Sequence, residues 1–234
     1  MNSSISKEAS KRIRGSRERM NILKESEFQV IEYLCTKMPN WVSPDLLTAT
    51  GILGSMIIAA GLILAVKISS YFLLLSVFGF AVQWFGDSLD GRLAYYRNTP
   101  RKWYGWALDI NADWISICVI GLGFYYYFPF YKSLAFIFVV CYGGSMILSL
   151  LQYKLNDKYV IDKNSMGPTE LRIIICLVLL LEIIIPNALI AFSAIASVIL
   201  IVSNVLESKN VLQEGDMRDA QDKIKKRRMA LNVA

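Results

Sequence analysis

Six stretches of this chain are apolar over lengths close to the roughly 20 residues that an α-helix needs to cross a bilayer. They run from about Leu46 to Val66, Tyr71 to Tyr96, Trp106 to Phe128, Leu134 to Tyr153, Thr169 to Ile185 and Ala188 to Leu206. Hydrocarbon offers no hydrogen-bond partner, so a segment inside it must satisfy every peptide group internally, as a helix does. The fold class this predicts is all-α and integral to the membrane, with six transmembrane helices. Composition agrees: 55% of the 234 residues are hydrophobic, only 19% are charged, and the mean hydropathy is +0.42. That is too apolar for a soluble domain of this size. Only Pro186-Asn187 separates the last two runs, so they should form a tight helical hairpin. The first 27 residues are polar and basic and lack the apolar centre of a cleavable signal peptide.

The charges sort by side. With the N-terminus inside, the inward segments hold eight Lys and Arg through Lys37, four from Arg92 to Lys102, three from Lys154 to Lys163 and seven from Lys209 onward. The outward loops hold Lys67 and Lys132. So uneven a split predicts a multi-pass protein of the cytoplasmic membrane with both termini cytoplasmic. The net charge of +6 then speaks for anionic lipid surfaces rather than nucleic acid. Four units follow: a basic tail (1–26), a short amphipathic interfacial helix (27–40), a six-helix membrane domain (41–207) and a second basic tail (208–234). In the interfacial segment, Phe28, Ile31 and Leu34, with Val30, turn towards one side, as suits a helix lying on the inner membrane surface. The four cysteines show no CxxC spacing and read as small buried hydrophobes. The aromatic cluster from Phe124 to Phe130 reads as an interfacial belt, and Glu182 as reaching the outer interface.

Against this apolar background stand Asp87, Asp90, Asp109 and Asp113, at spacings of three, nineteen and four residues. An ionisable group at membrane depth costs several kcal/mol and marks a functional site. On helices, Asp87 and Asp90 share one face, as do Asp109 and Asp113 on the next helix. Together they offer hard oxygen ligands, which suit Mg²⁺ or Mn²⁺ better than zinc, and the chain has no histidine.

The residues Asp87-x2-Asp90-Gly91-x2-Ala94, then Gly105-x3-Asp109-x3-Asp113, resemble the signature of the CDP-alcohol phosphotransferase family, D-x2-D-G-x2-A-R followed after eight or nine residues by G-x3-D-x3-D. Seven of the eight fixed positions match; Tyr95 stands where the pattern has Arg. The resemblance implies two metal ions, with Asp87, Asp90 and Asp109 on the first and Asp87, Asp109 and Asp113 on the second. It also implies Asp113 as the general base that deprotonates the acceptor hydroxyl. Gly91, Ala94 and Gly105 lack bulk, so a nucleotide or phosphate can approach the backbone closely. Pro44-Asp45-x2-Thr48 is similar to the family's nucleotide-facing stretch, which makes Asp45 and Thr48 donor contacts. Arg97, or else Arg92, is the expected stand-in for the missing arginine. Arg172, one turn inside the fifth run, reads equally as a carboxylate partner or as an anion site.

The function this resemblance implies is transfer of a phosphatidyl group from CDP-diacylglycerol to a small hydroxylated acceptor, with release of CMP. Inositol or inositol phosphate is favoured, because Asp45 and Asp90-Gly91-Arg92 look like the phosphatidylinositol phosphate synthase branch; glycerol phosphate is next. A homodimer is implied by the family alone. The alternative within the class is a CDP-choline or CDP-ethanolamine donor serving diacylglycerol, since Gly167-Pro168-Thr169-Glu170 resembles those enzymes. A cation transporter would explain intramembrane acids, but not the small residues beside them.

Overall fold

The structure, a computed structural model, describes residues 24–156 and 168–231. The basic tail up to residue 23 and the loop carrying Lys158 and Lys163 lie outside the described residues. Among those described, every regular element is helical. We label them α1 (Lys24–Lys37), α2 (Pro44–Lys67), α3 (Leu73–Tyr96), α4 (Lys102–Tyr127), α5 (Lys132–Asn156), α6 (Pro168–Ile184) and α7 (Ala188–Leu231), with a 3₁₀ turn at Ser70–Phe72 before α3. Five of these are long and apolar enough to cross a membrane: α2, α3 with its 3₁₀ turn, α4, α5 and α7. The fifth predicted span, Thr169 to Ile185, corresponds to α6, whose 17 residues rise about 25 Å.

Glycines set the relation between α2 and α3. The two helices run antiparallel, and their backbones touch at Gly51, Gly54, Gly61, Gly79 and Gly86. A Cβ added at Gly54 would stand 2.7 Å from the Gln83 Cα, one at Gly79 2.7 Å from the Ile58 amide, and one at Gly86 2.7 Å from the Gly51 Cα. A side chain at Gly54, Gly61, Gly79 or Gly86 would force the pair apart, so the small residues let the helices approach as in other membrane bundles. Ser76 adds a hydrogen bond across the seam to the Ile58 carbonyl at 2.9 Å. The start of α2 is fixed by Ser43, whose side chain accepts from the Leu46 amide at 3.1 Å, with Pro44 in the first turn.

α4 packs on the other flank of α2, where Gly123 meets Ala59. Ile58, Leu62, Leu73, Phe80, Ile120, Phe124 and Leu179 close the core between α2, α3, α4 and α6. α5 and α7 form a second layer, joined by Asn204, which donates to the Cys141 carbonyl at 2.6 Å and accepts from the Ser145 hydroxyl at 2.8 Å.

Three local expectations change. The apolar face of α1 is covered by protein: Phe28, Ile31 and Cys35 are buried, and Ile31 and Cys35 pack with Leu47, Leu89 and Leu93, while Val30 stays 47% exposed. Phe28, Ile31 and Cys35 recur at three and four residues, so the helix presents one narrow stripe, and Val30 lies off it. Glu182 is buried rather than interfacial. Its carboxylate accepts from the backbone N–H groups of Leu189 (2.6 Å) and Asn187 (3.1 Å) and from the Tyr127 hydroxyl (3.0 Å). A hairpin this tight leaves the first N–H groups of α7 without intrahelical partners, and Glu182 supplies one. Finally, α7 does not end near Leu206 but continues to Leu231. Its extension is tied to the end of α5 by Arg218, which donates to the carbonyls of Lys154 (2.7 Å) and Leu155.

Candidate active site

α3 and α4 each pack on α2 far more than on one another, and a cleft lies between them. α2 contributes Thr48, Gly51 and Ile52, α3 contributes Gln83, Asp87 and Asp90, and α4 contributes Asp109, Ala112, Asp113 and Ser116. The α2–α3 seam decides which way α3 faces. With the backbone at Gly79, Gly86 and Gln83 pressed against α2, the side chain of Asp87 is turned along the cleft wall rather than into lipid.

The carboxylate oxygens of Asp87, Asp109 and Asp113 lie within 4.8 Å of one another. Asp109 and Asp113 come from successive turns of α4, and Asp87 reaches them across the cleft. Three hard oxygen donors converging at this distance fit Mg²⁺ or Mn²⁺. Arg172 of α6 donates to Asp87 Oδ2 at 2.5 Å, with both side chains largely shielded. Its guanidinium offsets part of the negative charge gathered at Asp87.

Asp90 lines the same cleft but is held differently. Thr48 Oγ1 donates to Asp90 Oδ2 at 2.7 Å, and the Gly91 amide donates to Oδ1 at 2.5 Å. The structure thus gathers three of the four aspartates into one oxygen cluster and sets Asp90 beside it, in contact with α2. Thr48, expected at the donor, is at the cleft and fixes Asp90. Asp45, one turn before Thr48, forms an ion pair with Arg101 at the start of α4, and the Arg101 guanidinium also lies over the Tyr104 ring. Gly91 and Gly105 face open space: a Cβ at either would meet nothing within 4 Å. Ala94 is half-buried on the last turns of α3.

Arg97 requires a correction. Expected to face the donor, its guanidinium instead donates to the carbonyls of Val42 (2.5 Å), Pro39 (2.8 Å) and Met38 (3.4 Å), in the loop between α1 and α2. α3 ends at Tyr96, and Arg97 leaves the helix towards that loop. Three peptide oxygens with no helical partners attract the cation there. Gln83 and Ser116 line the cleft unforeseen. The signal for them was available: Gln83 lies four residues before Asp87 and Ser116 three after Asp113, on the same helix faces.

The family model of CDP-alcohol phosphatidyltransferase matches residues 41–209. The chain belongs to the CDP-alcohol phosphatidyltransferase family. No curated protein matches the chain. Family membership makes it an enzyme that transfers a phosphatidyl group between a CDP-alcohol and an alcohol acceptor. The matched residues span α2 to the middle of α7 and so enclose the whole cleft. Enzymes of this family are typically metal-dependent, and the cluster of Asp87, Asp109 and Asp113 is where such a transferase could hold the ion.

Proposed function

We propose that the enzyme transfers the phosphatidyl group of CDP-diacylglycerol to a small polyol or polyol phosphate and releases CMP. Inositol or inositol phosphate is the favoured acceptor, with glycerol phosphate next. The observation that carries this reading is the convergence of Asp87, Asp109 and Asp113 on one point of a cleft between membrane-length helices. A donor with lipid tails and a charged pyrophosphate needs such a place, apolar on its flanks and rich in oxygen ligands at its centre.

In this reading Asp87, Asp90 and Asp109 would hold one cation and Asp87, Asp109 and Asp113 a second. When bound, two Mg²⁺ or Mn²⁺ ions neutralise the pyrophosphate charge as it redistributes. The acceptor hydroxyl oxygen attacks the phosphorus that bears the diacylglycerol. The bond from that phosphorus to the bridging oxygen of the pyrophosphate breaks, and CMP departs with the electron pair. Asp113 takes the acceptor's proton. Thr48 holds Asp90 in place from α2, and the open surfaces at Gly91 and Gly105 leave room for the nucleotide. Arg172 stands beside the cluster as a cation for the acceptor's or donor's phosphate.

The remaining features of the proposal concern assembly. α6 is also a span and brings their number to six, the ends of α3 and α4 that flank the cleft face the cytoplasm, both termini are cytoplasmic, and the enzyme is a homodimer. The test is purified enzyme with labelled CDP-diacylglycerol, a panel of inositol, inositol phosphate and glycerol phosphate, and Mg²⁺, Mn²⁺ or a chelator. CMP release that depends on both a divalent ion and one acceptor is expected. CMP release only from CDP-choline or CDP-ethanolamine, with diacylglycerol as acceptor, would reverse the donor assignment.

A further inference from the structure

The cleft continues past its carboxylates. On α3, Asp87 stands nine residues before the helix ends at Tyr96, about 14 Å along the axis, while Gln83 stands about 20 Å in. On α4, Asp109 and Asp113 are about 10 and 16 Å from Lys102, and Ser116 about 21 Å. Gln83 and Ser116 therefore reach the same depth from opposite walls, close to the middle of their spans and one turn beyond the metal cluster. Both are buried, at 7% and 5% exposure, and both line the cleft. Neither side chain has a hydrogen-bond partner among the described residues.

Two donors that open onto the cleft at mid-membrane are placed to serve an acceptor on a bound ligand. The lipid half of the donor has acceptors at the right place. Resting on the function proposed above, the reacting phosphorus lies at the carboxylates and the acyl chains point towards the bilayer centre. The glycerol backbone and its ester carbonyls then follow the phosphate by a few bonds, which is about one helical turn. We propose that Gln83 and Ser116 bind the ester carbonyls of the donor's diacylglycerol and so make the enzyme selective for ester-linked over ether-linked lipid. The Gln83 amide N–H and the Ser116 hydroxyl donate; an ether lacks the carbonyl that projects from the chain, and its in-chain oxygen does not reach donors placed for that carbonyl. Selectivity of this type, in which a site built to hydrogen-bond a group rejects the analogue lacking it, exceeds what an apolar wall provides.

The experiment compares CDP-diacylglycerol with CDP-dialkylglycerol of equal chain length, in the same lipid nanodiscs, by CMP release. The wild-type donor KM should be roughly tenfold lower for the ester. Gln83→Leu and Ser116→Ala should each raise the ester donor KM by about 2- to 10-fold, the range of one hydrogen bond. The ether donor KM and the acceptor KM should stay within about twofold. Ser116→Ala removes one oxygen from α4 and does not touch the α2–α3 seam, so it remains informative if Gln83→Leu fails to fold. Equal KM values for the two donors in the wild type, or variants that raise the acceptor KM instead, overturn the assignment. No CMP release from either donor overturns the function it rests on, and the assignment with it.

Discussion

The Arg97 guanidinium lies 2.5 Å from the carbonyl oxygen of Val42, so the last charge of α3 is committed to the loop that joins α1 to α2. With the carbonyls of Pro39 and Met38 it forms a clamp that holds α1 against the membrane domain. Hydrogen bonds to a charged group are worth about 1.5–3 kcal/mol each when shielded, and less for this half-exposed side chain. Arg97→Ala should therefore free α1 while leaving the donor KM unchanged. Cys35 reports the event. Burial pushes its thiol up to about 11, so at pH 7.5 it is protonated and shielded and should label slowly. In a variant whose other three cysteines are serine, Arg97→Ala should speed maleimide labelling of Cys35 at least several-fold. A large rise in donor KM with unchanged labelling would return Arg97 to the substrate site.

Glycines of this fold divide into two kinds. Gly54→Ala places a methyl group 2.7 Å from the Gln83 Cα, a backbone atom that cannot step aside. Overpacking of this type costs about 1–3 kcal/mol, and here it also shifts Asp87 away from Asp109. Thermal unfolding in detergent should show a lowered midpoint, and activity should fall with it. Gly91→Ala meets nothing within 4 Å, so its midpoint should match the wild type and any defect should appear in the donor KM.

Arg172 and a divalent ion compete for Asp87. Arg172→Gln leaves Asp87 without its guanidinium partner. Breaking a fully buried pair costs about 3–5 kcal/mol, and less where both side chains keep some exposure, as here. The variant should unfold earlier than wild type in chelator. Added Mn²⁺ should raise its midpoint more than it raises that of the wild type. An equal Mn²⁺ response in both would separate Arg172 from the metal cluster.

Asp113→Asn keeps an oxygen in the cluster but removes the proton acceptor of the proposed mechanism. Loss of a general base costs about 10²–10⁴-fold in rate, and CMP release should fall at least that far. Mn²⁺ binding, followed by electron paramagnetic resonance, should persist through Asp87 and Asp109. Near-normal turnover would take Asp113 out of the chemistry.

Much of this was written in the sequence at single-residue resolution. The aspartates announced themselves because ionisable groups in apolar runs are rare, and Asp109 and Asp113 obey simple helical spacing. The membrane-length helices α2 to α5 followed from hydropathy, and the tight hairpin from Pro186-Asn187. What stayed hidden depends on partners far along the chain. Glycines at 51, 54, 61, 79 and 86 could each have faced lipid, and only the meeting of α2 with α3 makes them a seam. The direction of Arg97 is set by carbonyls 55 to 59 positions earlier. Glu182 seemed destined for the membrane surface because no local rule links it to Leu189, whose amide it accepts. Gln83 and Ser116 are neutral, and a polar but uncharged residue barely disturbs an apolar run.

The glycine seam has one more effect, on how the protein can move. Where two backbones already touch, there is no soft layer to compress and no side chain to change rotamer, so α2 and α3 behave as a single wedge. Outside it the packing loosens: 11% of the residues in the α5 and α7 spans are buried, against 39–44% in α2, α3 and α4. A two-tailed lipid must pass into and out of a cleft whose α2 and α3 walls do not yield. Its doorway is then expected on the other flank, where α4 leans on α5. Turnover would then be paced by the looser half of the protein, while the rigid half keeps the geometry of the reaction constant from one lipid to the next.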